Sequence, residues 1–168
     1  MATQNSDLVA NLEATPSVAN ATQELAGRVR VAQGTIAVAS DGTGSGDIIM
    51  LAPVPTNASI MSIRLAADDL DSNGTPALAW NVGLYTSGGT VKDVDAYASA
   101  ITLGQAATAF AEYRFEAANI TTCGQRVWED AGDTSDPTAT YYVAASISTA
   151  AATGAAGDLS FIIEYVVD

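Results

Sequence analysis

The chain has 168 residues and a net charge of −13, from 19 acidic and 6 basic side chains. That balance excludes the basic patch on which nucleic-acid affinity rests, and it disfavours docking on anionic lipid. There is no histidine and one cysteine, Cys123, which removes Ser-His-Asp and Cys-His nucleophiles, the usual zinc sites and any internal disulfide.

No apolar run approaches the roughly 20 residues of a membrane-spanning helix. A chain of this length can bury about 68–70% of its unfolded surface, so neither metal nor cofactor is needed as a staple, and none is expected. The N-terminus has no basic region followed by an apolar core and does not read as a secretory signal. Folding in a cytoplasm is therefore expected.

Residues 1–26 differ from the rest. They contain no aromatic residue and only scattered aliphatics, Leu8, Val9, Leu12, Val18 and Leu25, among Ala, Asn, Thr, Ser and Gln. This is too little apolar surface to fold alone. The stretch reads as a disordered tail or as an extended arm that orders against a partner.

From Arg28 the strand signals begin. Arg28 and Arg30 alternate with Val29 and Val31, and residues 35–39 follow. The glycine-rich stretch 40–46 lacks the Gly-Lys-Ser/Thr ending of a phosphate loop and reads as a surface turn. Residues 47–51 are a short apolar run, stopped by Pro53 and Pro55; they suit a strand buried on both faces or one near a subunit contact.

Residues 60–85 read as strand, acidic turn, strand. Met61, Ile63 and Leu65 alternate with polar or small residues, as do Leu78, Trp80, Val82 and Leu84. Period-two alternation puts every second side chain on one face, so a hairpin lying on a core is expected. Residues 93–111 are ambiguous: Val94, Tyr97, Ala98 and Ile101 fit a helical spacing, an irregular crossover is equally consistent, and 105–111 could form a helical turn. Residues 112–116 read as a short strand, 125–129 as a short helix or strand, and 130–137 as an acidic loop. Two strands close the chain, one with Tyr141, Val143, Ala145 and Ile147 on a common face, the other with Leu159, Phe161, Ile163, Tyr165 and Val167.

About eight strands separated by turn signals, without a long amphipathic helix, predict an all-β, two-sheet antiparallel β-sandwich that is jelly-roll-like. The expected division is an N-terminal arm over 1–26 and a sandwich domain over 27–168.

Candidate chemistry is sparse. Asp69-x-Asp71-x-Asn73-Gly74 matches the opening of a calcium loop, but the bidentate Glu expected at position twelve is Trp80. A hairpin turn with Asn73-Gly74 at positive φ is the better reading, with Asp69, Asp71 and Asn73 left as a weak cation candidate. Glu112, Glu116, Glu129, Asp130 and Asp133 are the carboxylates a glycosidase would have to draw on; as loop acids they read as solvated surface, and no enzyme is expected. Cys123 reads as a buried or incidental thiol, and Trp80 and Trp128 as core or interface anchors.

The polar arm is followed by Ile63-Arg64-Leu65, then Asp68-Asp69-Leu70-Asp71, Asn81-Val82-Gly83-Leu84-Tyr85, Val94-Asp95-Ala96-Tyr97 and a closing Ile162-Ile163-Glu164-Tyr165-Val166-Val167. Over residues 28–168 this resembles the capsid cement (head decoration) proteins of tailed bacteriophages. The resemblance implies a non-enzymatic virion protein on the outer capsid surface, assembled in the host bacterial cytoplasm. It implies the major capsid protein as partner and a homo-oligomer, with a trimer favoured over a dimer. The arm aliphatics Leu8, Val9, Leu12 and Val18, with Arg28 and Arg30 at the arm's root, are the expected contact residues. The rival reading is a tail- or fibre-associated carbohydrate-binding module built around Trp128 and the acidic loop 130–136.

Overall fold

The computed structural model describes residues 9–11, 14–19 and 27–167. Eight strands form the body: β1 (Arg28–Val38), β2 (Ile48–Pro55), β3 (Ser59–Ala67), β4 (Ala79–Tyr85), β5 (Val91–Ile101), β6 (Thr108–Glu112), β7 (Thr140–Thr149) and β8 (Gly157–Val167). A 3-10 turn (Ile120–Thr122) and a short α-helix, α1 (Val127–Asp130), lie between β6 and β7.

The strands make two four-stranded antiparallel sheets, ordered β1-β8-β3-β6 and β2-β7-β4-β5. The pairs β1·β8, β2·β7, β3·β6 and β4·β5 nest inside one another, as in a long hairpin rolled up until its arms fall into two sheets. That wrapping is a jelly roll, the two-sheet sandwich expected from the strand pattern. Ile63, Leu65, Leu159 and Ile163 from the first sheet meet Trp80, Val82, Val143 and Ile147 from the second in one core. Trp80 is fully buried and keeps its indole N–H bonded to the Leu103 carbonyl at 2.7 Å.

Several expectations are corrected. β3 and β4 are both strands, but they lie in different sheets and do not form a hairpin. Alternation shows which side chains face inward; it does not show which neighbour a strand pairs with. The acidic stretch between them is an end-of-sandwich crossing, and Gly74 is absent from the positive-φ residues.

The ambiguous region 93–111 contains no helix. It contributes β5 and β6, and the chain turns after Glu112 rather than continuing as a strand to 116. The false helical spacing comes from a large bulge. Val82 faces Ala98 while Leu84 faces Asp93, so the intervening β5 residues break the two-residue period. The bulge closes over Gly83, where a Cβ would sit 2.2 Å from the Asp93 carbonyl oxygen. β2 runs through Pro53 rather than stopping there, as an edge strand can.

Candidate interaction surface

Antiparallel wrapping sorts the loops onto two ends. Loops 39–47, 68–78, 102–107 and 150–156 gather at one end. Loops 56–58, 86–90 and 113–139 gather at the other.

At the first end Asp71 is buried and takes four backbone N–H groups. Its Oδ2 accepts from Ala77 at 2.7 Å, Leu78 at 3.1 Å and Ala152 at 2.9 Å, and its Oδ1 from Thr153 at 2.9 Å. Burial alone would push this carboxyl up; the four N–H donors outweigh it and hold the group well below the usual carboxylate range. Leu70 N–H reaches the Gly104 carbonyl, and Ala155 N–H the Leu70 carbonyl, so three loops are sewn together here.

The other members of the sequence's cation candidate are used locally. Asp69 Oδ1 accepts from the Asp71 N–H, and Asn73 bonds the Thr75 N–H and the Thr153 hydroxyl. Four N–H donors from two loops converge on Asp71, which is an anion's environment. The arrangement serves the crossing between the sheets.

At the second end the fully buried Arg114 stacks between the rings of Tyr97 and Phe115, each 4.7 Å away. Its Nε donates to the Ile60 carbonyl at 3.0 Å and its Nη2 to Asp130 at 3.1 Å. Tyr97 donates its hydroxyl to the same Asp130 oxygen at 3.1 Å. Burial pushes the Asp130 carboxyl up to about 6 against the opposing pull of Arg114 and Tyr97. Nothing in the sequence singled out Arg114; arginine is rarely buried unless paired, and its partner lies 16 residues away.

The rest of the acidic loop is also tied inward. Asp133 binds Lys92 at 2.8 Å and the Tyr141 hydroxyl, and Asp136 accepts from Thr56 at 2.6 Å. Glu112 accepts from Ser62, Ile63 and Arg114, Glu116 from Ser99, and Glu129 from Arg126. Glu112, Glu116 and Glu129 are exposed, as surface acids are expected to be, while Asp130 and Asp133 are drawn into ion pairs within the fold. Trp128 is half-buried, not an open stacking platform. Cys123 is exposed, a surface thiol rather than a buried one.

Of the expected contact residues, Val9 and Val18 are exposed, and Leu8 and Leu12 lie outside the described residues. Arg28 and Arg30 are exposed at the start of β1, beside Val29 at 60% and Val31 at 57% exposure. Arg64, Lys92 and Arg114 are committed to ion pairs with Glu164, Asp133 and Asp130.

Solved structures with the same wrapping come from phage capsids. A chain of the capsid asymmetric unit of cyanophage Pam1 is 26% identical, with all of both chains covered and a TM-score of 0.60. The chain is built like a phage capsid component. A chain from the capsid of Ralstonia phage GP4 is 24% identical over 84% of this chain and 86% of that one, with a TM-score of 0.62, and shares the fold. No family model matches the sequence, and no curated protein matches it.

Proposed function

We propose that this protein is a cement protein of a phage head, bound to the outer capsid surface and stabilising contacts between major capsid subunits. The observation that carries the reading is the end-to-end likeness to a chain of a phage capsid. Three further features support it. The body is a small jelly roll whose inward-turned carboxylates, Asp71, Asp130 and Asp133, are bound by its own groups. The net charge of −13 suits the outside of a shell better than contact with packaged nucleic acid. The aliphatics of the first 18 residues include two, Val9 and Val18, that remain exposed.

In this reading residues 1–26 are the arm that grips the shell through Leu8, Val9, Leu12 and Val18. Binding energy comes from apolar burial as the arm orders, with Arg28 and Arg30 at its root. The test is co-sedimentation with phage heads that lack the protein. Full-length chain is expected to saturate the heads. The chain without residues 1–26 is expected to keep its thermal transition and to lose binding. Equal binding by the truncated chain would overturn the assignment of the arm, and no binding by the full chain would overturn the cement role.

A further inference from the structure

A sandwich of two four-stranded sheets has four edge strands, and exposed edges invite pairing with another chain unless they are blunted. Three of the four are blunted here. β2 carries Pro53 and Pro55 and a register shift against β7. β5 is broken by its bulge against β4. β6 is only 5 residues long. β1 has none of these devices. It runs for 11 residues, contains no proline, and pairs with β8 from end to end without a register shift. Among the described residues no strand pairs with its other edge.

The charges along β1 are arranged unevenly. Arg28 and Arg30 stand exposed at its start, outside the ion pairs that hold Arg64, Lys92 and Arg114 among the described residues. At its other end lies a hollow of about 380 Å³ between β1 and β2, lined by Ile36, Val38, Ile48, Ile49, Asp41 and Asp47. Asp41 is exposed. One end of the edge thus offers Arg-Val-Arg-Val, and the other offers an aliphatic hollow with two carboxylates.

An edge that is positive at one end and negative at the other is complementary to itself when two copies run antiparallel. We propose that β1 is a homotypic interface, in which two copies pair edge to edge across a two-fold axis and join their β1-β8-β3-β6 sheets into one of eight strands. Such an interface is isologous, with each contact made twice. A dyad through Gly34 sets Arg30 of one copy opposite Val38 of the other and carries Arg28 past the end of that strand, toward the turn that holds Asp41. It sets Val31 opposite Ala37 on the outer face. Two chains of charge −13 repel in bulk, and this edge is where cations of one can meet carboxylates of the other. The pairing gives Arg28 and Arg30 to a second copy and leaves the shell to the arm. It does not depend on the cement reading.

The test is sedimentation equilibrium of the full chain and of charge variants, with thermal melting as a control for folding. The wild-type chain is expected to form dimers. Arg28→Asp and Asp41→Arg are each expected to raise the dimer dissociation constant about tenfold or more while leaving melting unchanged. The double variant, carrying both, is expected to recover most of the affinity, because the swapped charges meet again across the dyad. A chain that stays monomeric, a trimer, or dimers indifferent to both single variants would each overturn the proposal. Failure of the double variant to recover would overturn the antiparallel register.

Discussion

The two ends of the sandwich each bury a carboxylate and neutralise it by different means. Asp71 is held by four backbone N–H groups from two loops, with no cation. Asp130 is held by one guanidinium and one phenol. Backbone donors are fixed by the fold and need no side chain brought in from elsewhere, so Asp71 stays ionised far into acid. Arg114 must be desolvated to serve Asp130, and its Nη1 finds no partner. The net effect at that end is a carboxyl pushed up, despite the ion pair. One end is therefore a strong anion cradle and the other a costly buried pair.

This contrast orders the expected effects. Arg114→Met should be the most damaging change, because it leaves Asp130 buried without its cation; about 3–5 kcal/mol of stability should be lost in urea denaturation. Adding Asp130→Leu to that variant should return part of the loss. If the double replacement is as unstable as Arg114→Met alone, the pair is not the costly element described. Asp71→Asn should come next, at about 2–4 kcal/mol, since an amide cannot accept from all four donors. A loss under 1 kcal/mol would mean that the loops hold without the carboxylate.

The two ends should also answer pH in opposite directions. Asp71 has a depressed folded-state pKa, so its contribution is complete above the unfolded value near 4 and is lost as pH falls below it. Asp130 has a raised one, so the folded state binds its proton more tightly. Its contribution is complete below pH 4 and is lost as pH rises through about 6. Asp130→Asn should therefore flatten the decline between pH 4 and 6, worth at most about 3 kcal/mol, and Asp71→Asn should flatten the fall below pH 4. Unchanged slopes would assign the pH response to other groups.

Gly154→Ala tests the first end's close packing, since a Cβ there would lie 2.1 Å from the Ser40 carbonyl oxygen. About 1–3 kcal/mol should be lost. Arg64→Ala should have the smallest effect. Its ion pair with Glu164 is more than a third exposed on both sides, and less than about 1 kcal/mol is expected.

Much of the fold could be read from alternation. The inward positions Ile63, Leu65, Tyr141, Val143, Leu159 and Ile163 were legible from alternation, but Met61 was not: β3 shifts register against β8 between Ile60 and Ser62, which buries Ile60 and leaves Met61 exposed. β5 was not, because its bulge inserts residues and imitates a helical repeat. The partition of β3 and β4 into different sheets was not either, since both strands show the same pattern whichever neighbour they pair with. Of the interaction surface, Arg28 and Arg30 stood out by their place at the root of the arm. The unblunted edge on which they sit is a property of pairing and could be recognised only once the other three edges were known. The buried Arg114–Asp130 pair left no sequence signal, because both residue types are ordinarily solvated.

The cement role is tested most directly by quantifying this polypeptide in purified virus particles, against the most abundant shell protein, by mass spectrometry. The account predicts many copies per particle, in a simple ratio to the shell protein. A few copies per particle would place it in a tail or fibre instead, and its absence from particles would contradict the virion role altogether.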